Sequence, residues 1–338
     1  MIKTAVVILN FNGEKLLPQF LPSVIQHSQG AQVYVADNAS TDRSLEILKR
    51  DFPTVNVIPL EQNFGFCGGY NRALAHIDAT YFVLLNSDVE VTDGWLNRME
   101  QLLDSNAGIA AVQPKILSYR NKTIFEYAGA AGGFIDVLGY PFCRGRIFDH
   151  VEEDHHQYDD ERPIFWATGA CFIIRADVYR NFHGLDEDLF AHMEEIDLCW
   201  KIQRTGQKVM YCGHSTVYHL GAGTLGYDSP KKVYLNFRNG LILIYKHLDS
   251  IELLYKLPVR MVLDWLAATV FLFKGKAEHA LQVVKAHLDF LGSIGKSIAK
   301  RRAIRSSHPS YSKDSVFKGM IIVEYYLKNR KTYPNSPK

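Results

Sequence analysis

Five groups of residues have the types and positions to do chemistry. Asp88 follows the apolar run Phe82–Leu85 and the polar pair Asn86-Ser87, and apolar Val89 and Val91 resume after it. A short apolar run bounded by polar residues is the mark of a strand buried on both faces, and ligands of open α/β sheets collect at the carboxyl ends of such strands. A carboxylate there is costly to bury alone and useful beside a metal ion. Asp37 ends a second apolar stretch, Q-V-Y-V-A-D. It suits hydrogen bonding to a uracil or thymine imide or a ribose hydroxyl, although alone it reads as a turn or cap. The loop N-F-G-F-C-G-G-Y-N-R-A-L at 63–74 places Gly65, Gly68 and Gly69 where a helix opens. Glu194, Glu195 and Asp197 stand at the start of an amphipathic helix with Leu198, Trp200 and Ile202. Acids in a first turn are favoured by the helix dipole. Three so close cannot all point apart, so at least one is held near the cleft, where burial or charge raises its pKa toward that of a useful base. His219, at a strand end before small residues, leaves room for a ligand.

The elements that position these groups follow from the apolar pattern. Strands are expected at 4–10, 32–37, 55–60 and 81–91, with helices between them at 14–27, from Ser40-Thr41 through Lys49, and from near Gly69. Alternation of this kind signals a parallel α/β sheet. A helix at 95–103 and short strands at 109–113 and 116–119 come next. Residues 120–163 read as a flexible loop over the site, and His155-His156 within the acidic run at 152–161 read as solvated rather than as metal ligands. A strand-like run at 164–175 is interrupted by T-G-A, then come a helix at 176–182 and strands at 208–212 and 215–220. Acids at successive strand ends, with a glycine-bearing helix start between them, favour a bound nucleotide diphosphate. The first strand ends in N-F-N-G, so the G-x-G-x-x-G of a dinucleotide site is missing, and no G-x-x-x-x-G-K-[ST] is present.

The bulk numbers narrow the class. With 338 residues, 47% hydrophobic and 22% charged, the chain has the makings of a large core. Its net charge of +2 hides an asymmetry: residues 231–338 hold 20 Lys and Arg against 7 Asp and Glu, and residues 1–230 hold 18 against 29. Five cysteines without a C-x-x-C pair suggest a reducing compartment. No stretch reaches the roughly 18 to 20 apolar residues of a membrane span, and the N-terminus lacks a signal-peptide pattern. The expected location is cytoplasmic, with peripheral contact at the inner face of the plasma membrane as an option.

Taken in order, V-V-I-L-N-F-N-G, D-N-A-S-T-D, N-F-G-F-C-G-G-Y-N-R-A-L, L-L-N-S-D-V-E-V, G-A-C-F-I-I-R, E-E-I-D-L-C-W-K and Y-H-L-G-A-G-T resemble family 2 inverting glycosyltransferases, rhamnosyltransferase-like branch, over residues 4–245. The resemblance implies a GT-A fold, that is, a mixed sheet flanked by helices, here with a C-terminal helical extension. It implies a dTDP- or UDP-sugar donor, a glycan or lipid-linked acceptor in cell-surface polysaccharide synthesis, and a divalent metal, Mg2+ or Mn2+. Carried over position by position, Asn10, Asp37, Asn38, Ser40 and Asp42 shape the base pocket. Asn63, Gly65, Gly68, Asn71 and Arg72 line the nucleotide and diphosphate. Asn86-Ser87-Asp88 replaces the D-x-D element, so Asp88 carries the metal, with His219 as helper. Trp166, Gly169 and Ala170 border the sugar, and Glu194-Glu195 stand where the family has its Glu-Asp base, which leaves the choice between them open. Arg238 and Asn239 also match, near the diphosphate.

Beyond a catalytic domain at 1–245, residues 246–338 read as a basic helical region with apolar periodicity at 251–273 and 277–293. Trp265, Phe271, Phe273, Lys274 and Lys276 suit a membrane interface, and a helical layer packed on the catalytic domain or on a second subunit suits the pattern as well. No nucleic-acid-binding pattern is present. The competing functions are a nucleotidyltransferase and a non-catalytic nucleotide-sugar-binding protein of the same fold.

Overall fold

The computed structural model describes residues 2–221, 229–307 and 310–333. Its centre is built by strand β1 (Ile2–Asn10), in which Thr4 to Val7 have no exposed surface. From there the chain alternates through α1 (Leu17–His27), β2 (Gln32–Asp37), α2 (Ser44–Asp51), β3 (Asn56–Pro59), α3 (Gly65–Ala75) and β4 (Ala79–Asn86). These four strands pair in parallel, β1 between β2 and β4 and β3 outside β2. Register sets Asn10 beside Asp37 and Leu9 beside Asn86, so the carboxyl ends of β1, β2 and β4 are level. Gly69 lets α3 settle on β1, since a Cβ there would press into the Leu9 side chain. Tyr70 adds a hydrogen bond from its hydroxyl to the Leu85 carbonyl, 2.9 Å away.

The second half of the sheet is mixed. The chain runs on through β5 (Val89–Val91), α4 (Asn97–Ser105), β6 (Ile109–Ser118), β7 (Gly133–Asp136), β8 (Pro141–Cys143), β9 (Arg146–Ile147), β10 (His150–Val151), β11 (Glu161–Ile164), β12 (Cys171–Arg175), α5 (Ala176–Asn181), α6 (Glu194–Arg204) and β13 (Lys208–His219), of which β5, β6, β11, β12 and β13 join this sheet. Strand β12 lies antiparallel between β4 and β6, and β13 runs parallel to β6 and antiparallel to β5 and β11. The two short strands expected near 109–119 are one strand, because Ile109 through Leu117 are buried on both faces. Residues 208–219 are likewise one strand, with an irregularity between Cys212 and Thr216 that re-aims its end toward β5.

The region expected to be a flexible loop is folded. Residues 133–151 form a second sheet, β10-β9-β8-β7, and the acidic run that follows is pinned by cations from elsewhere. Buried Lys115 meets Asp154 at 2.8 Å and also bonds Asp159, Arg144 grips Asp160 at 2.9 and 2.6 Å, and Arg98 grips Glu161 at 2.5 and 2.8 Å. Every partner is distant in sequence, which is why the run looked solvated.

Helices α7 (Pro230–His247), α8 (Ser250–Phe273), α9 (Ala277–Gly292) and α10 (Ile294–Ser307) pack on this body, and the chain then returns to it. Strand β14 (Val316–Phe317) pairs in parallel with β7, Asp136 Oδ2 accepts the Ile321 N–H at 2.9 Å, and Tyr333 packs 5.0 Å from Phe134.

Two glycines give a stability test of this packing. A Cβ at Gly133 would overlap the Trp166 indole, whereas one at Gly292 would meet nothing within 4 Å. Gly133→Ala is expected to cost about 1–3 kcal/mol or more in urea denaturation. Gly292→Ala should be neutral or stabilise by up to about 1 kcal/mol.

Candidate active site

Strand β4 ends at Asn86, and a two-residue turn brings the chain back as β5, whose partner is the end of β13: Val89 faces His219 across the ladder. The Leu220 N–H donates to the Asp88 carbonyl at 3.0 Å and fixes that approach. As a result His219 Nε2 lies 3.1 Å from Asp88 Oδ1 and 3.4 Å from Asn86 Nδ2. On the other side of the ring, Nδ1 lies 3.4 Å from Glu126 Oε2, a charge contact rather than a well-formed hydrogen bond. Asp88, His219 and Glu126 are all buried. Burial alone would lower the His219 pKa, but the two carboxylates outweigh it and push it up to about 10. Burial likewise opposes ionisation of Asp88, and the hydrogen bond and charge of His219 overcome it and hold the carboxyl below its usual range.

This donor set fits a divalent cation. A metal-binding histidine typically turns its second ring nitrogen to a carboxylate, which fixes the ring and raises its basicity. Glu126 stands in that position behind His219, and Asp88 supplies the oxygen in front. Glu126 was not singled out from sequence. It lies in the stretch I-F-E-Y-A with no motif around it, and only the buried setting of a lone acid among apolar residues could have flagged it. The last residues of the seventh block, Ala222 to Thr224, lie outside the described residues.

The Asp37 corner is tightly wired. Asp37 Oδ1 accepts from Asn10 Nδ2 at 2.9 Å and from the Ser40 hydroxyl at 2.6 Å, and Oδ2 accepts from the Ser40 N–H at 3.0 Å. Ala39 takes a left-handed φ of 59° to let Ser40 fold back. Asp42 caps nearby, taking N–H groups of Glu14 and Ser44, both at 2.9 Å. Asn38 bridges to the glycine loop through Asn63 Oδ1, the Gly65 carbonyl and the Phe64 N–H, each at 3.0 Å. Asn10 Oδ1 is buried and has no partner among the described residues.

Helix α3 uses its polar residues otherwise. Asn71 donates to the Leu185 carbonyl and Glu187, and accepts from Tyr179 and the Leu185 N–H. Arg72 lies over the Phe64 ring and pairs with Glu187 at 3.0 Å, both side chains partly exposed. A Cβ at Gly68 would press on the Arg72 guanidinium and Phe64.

Glu194 and Glu195 occupy the first turn of α6, and each has a buried Oε2 with no partner among the described residues. Burial, then the charge of Glu195, raises Glu194 well above the ordinary carboxyl range. Burial raises Glu195 to about 7, with backbone N–H groups of Glu195, Gly169, Ile196 and Met193 partly offsetting it. Asp197, grouped with them by sequence, is taken: Lys246 at 2.6 Å, His247 at 2.7 Å and Lys201 at 2.9 Å surround it. The segment entering the helix is strained, with left-handed φ at Phe190 (64°), His192 (66°) and Met193 (73°), a conformation that costs a non-glycine residue about 1–3 kcal/mol. Asn239 holds it in place, its amide donating to the carbonyls of Leu189, Ala191 and His192 at 3.0, 3.0 and 2.7 Å. Arg238 adds the carbonyls of Asp188 and Leu189. Both residues, expected near a diphosphate, here bond the loop that leads into Glu194 and Glu195.

Gly169 and Ala170 join the two halves of the site. The Ala170 carbonyl accepts the Asn86 N–H at 3.0 Å, and the position of a Cβ on Gly169 would be 4.0 Å from Glu194 Oε1. Trp166 is buried over Gly133 and donates its indole N–H to the Phe134 carbonyl at 2.9 Å. A cleft of about 770 Å3, lined by Asn71, Asp186, Lys201, Lys246 and Lys300 among others, opens elsewhere, and none of Asp37, Asp88, Glu194, Glu195 or His219 lines it. The group Asp154, His156 and Asp159 has metal-like spacing, but Lys115 already neutralises its carboxylates.

The model of glycosyl transferase family 2 matches residues 5–181. The N-acetylglucosaminyl-diphospho-decaprenol L-rhamnosyltransferase of Mycobacterium tuberculosis is 24% identical over 258 residues, covering 71% of this chain and 83% of its own. A low-salt glycan biosynthesis hexosyltransferase of Haloferax volcanii is 21% identical, covering 81% and 86%. Among solved structures, S. aureus TarS 1–349 with UDP-GlcNAc shares the fold at a TM-score of 0.58 and 17% identity, covering 98% of this chain and 93% of its own. The Pyrobaculum calidifontis mannosyltransferase with GDP-Man and Mn2+ matches at 0.53 and 12% identity, covering 90% and 82%.

The raised carboxyl at Glu195 has a signature in stability. Its folded pKa lies above the unfolded one, so the associated stability is full below about 4.5 and is lost as pH rises through about 7. Glu195→Gln should therefore gain on the wild type by on the order of 3 kcal/mol between pH 4.5 and pH 7.5. Urea denaturation at the two pH values reads the difference.

Proposed function

The chain belongs to glycosyl transferase family 2, and from that premise we propose that it is an inverting transferase moving rhamnose or a hexose from a dTDP- or UDP-sugar to a hydroxyl of a glycan or lipid-linked acceptor. The reading rests on one arrangement: the Gly169-Ala170 backbone touches both groups, the Gly169 N–H reaching Glu195, whose pKa is near neutrality, and the Ala170 carbonyl taking the N–H of Asn86 beside His219 and Asp88. Relatives and structural neighbours with nucleotide-sugar donors and lipid-linked acceptors in their names support the substrate classes.

In this reading the nucleoside binds at the Asp37 corner, against the carboxylate that Asn10 and Ser40 hold in place. Asp88 and His219 would hold Mg2+ or Mn2+, which when bound offsets the charge of the leaving diphosphate. Arg72 adds to this by giving up Glu187, since an exposed ion pair is worth only about 0–1 kcal/mol. Glu195 accepts the proton of the acceptor hydroxyl as its oxygen bonds to the anomeric carbon, and the electron pair of the anomeric C–O bond leaves with the diphosphate. A single displacement inverts the centre. Glu194 is the more buried of the two, and burial and the charge of Glu195 oppose its ionisation.

Kinetics test the assignment. Glu195→Gln should lose at least ~100-fold in kcat, with Glu194→Gln affected less, and log(kcat/KM) of the wild type should climb with pH and level off above about 7. A dead Glu194→Gln beside an active Glu195→Gln would reverse the two roles. Asp88→Ala should abolish metal-dependent transfer, and Glu126→Gln should raise the Mn2+ concentration for half-maximal rate by about 10–100-fold. Full turnover by Asp88→Ala in chelator overturns the metal assignment.

A further inference from the structure

Helix α8 is built inside out. Its four charged residues, Glu252, Lys256, Arg260 and Asp264, recur every fourth position and all turn toward the protein. Arg260 stacks on the Tyr140 ring at 3.4 Å, Asp264 accepts from Tyr140 at 3.2 Å and meets His287 at 3.3 Å, and Lys256 pairs with Glu252, which also takes Lys313. The opposite face carries Ile251, Leu254, Tyr255, Val259, Val262, Trp265, Leu266, Val270, Leu272 and Phe273, from 43% to 88% exposed. No charged side chain interrupts it. Twenty-four residues make a helix about 36 Å long, and an apolar strip of that length on a water-facing surface marks a docking face.

We propose that this face lies flat in the interfacial layer of an anionic lipid bilayer. Charge complementarity selects the occupant. Residues 231–338 carry 20 Lys and Arg against 7 Asp and Glu. Lys246, Lys256, Arg260 and Lys300 are spent on acids of the fold, whereas Lys274, Lys285 and Arg302 are exposed on the helical layer and attract an anionic surface. Lys274, exposed directly after Phe273, and Lys276 lie at the end of the strip, at headgroup level. Polar atoms on the face are few and suited to that layer: Tyr255 and Trp265 are residues of membrane–water boundaries, and the Thr269 hydroxyl already donates to the Trp265 carbonyl at 2.9 Å. Pro258 on the same face deprives the Leu254 carbonyl of its helical donor, which headgroup water replaces and acyl chains do not. No described helix is long and apolar enough to cross a membrane, so contact is lateral. This goes beyond the transfer reading and does not depend on it.

Sedimentation of the full chain with vesicles tests it, without donor or acceptor present. Wild type should pellet with phosphatidylglycerol vesicles and at least ~10-fold less with phosphatidylcholine. Val262→Glu with Leu266→Glu should lose at least ~10-fold in vesicle affinity, and Lys274→Glu with Lys276→Glu should lose a similar factor on the anionic vesicles alone. Val262, Leu266 and Lys274 are exposed and Lys276 is half-buried, so each pair is scored beside its melting temperature, which should stay unchanged for Val262→Glu with Leu266→Glu. Wild type that ignores anionic vesicles overturns the proposal. So does a dimer in sedimentation velocity that the Val262→Glu, Leu266→Glu pair splits, which would give the face to a second copy.

Discussion

Asp197 is the constraint on which the Glu194–Glu195 side of the molecule depends. It has no exposed surface, and a buried carboxylate survives only if its surroundings supply positive charge and donors. Lys201 on its own helix, and Lys246 and His247 on α7, supply them. Lys246 continues to Asp186 at 2.7 Å, and Lys300 of α10 joins Asp186 and Asp188. One buried charge thus locks α6, α7, α10 and the 186–188 segment in a single arrangement. His247, stacked on Trp200 and held near a pKa of 4 by burial, stays neutral and serves as a donor. Remove the cations and the first turn of α6, with its two raised carboxyls, loses its fixed direction.

The same logic explains why the strained entry to α6 is tolerated. Left-handed φ values at three non-glycine residues are unfavourable locally, and the Asn239 amide and Arg238 offset them by occupying the carbonyls of that turn. The entry to α6 is therefore held from α7, an element outside the residues matched by the family model.

Sequence made the parallel half legible because its signals are local. Apolar runs of strand length ended in Asp37 and Asp88, and the order of blocks carried the family. It also nominated His219 beside Asp88, which the β5–β13 pairing brings to 3.1 Å. Glu126 was invisible because its partner lies 93 residues away and joins it only through the sheet. The second sheet was missed because strands of two to four residues have too little alternation to read, and their last member comes from the far end of the chain. In α8, Arg260 and Asp264 looked like interruptions of an apolar stretch. The same four-residue spacing serves an inward or an outward charged face, and only Tyr140 and His287 decide between them.

The pairing of β14 with β7 has a consequence for the order of events in synthesis. Ile135 of β7 emerges from the ribosome long before Val316 of β14, so the second sheet has an open edge while the whole helical layer is being made. Closing so long a loop is entropically costly and slow compared with the local β–α pairings of the first half. The parallel β–α half can therefore form first from local pairings, whereas the apolar ring cluster of Phe134, Phe142, Phe317 and Tyr333 closes only once the helical layer between its members has been made. During that interval β7 presents an unpaired edge, the feature through which strands of different chains associate.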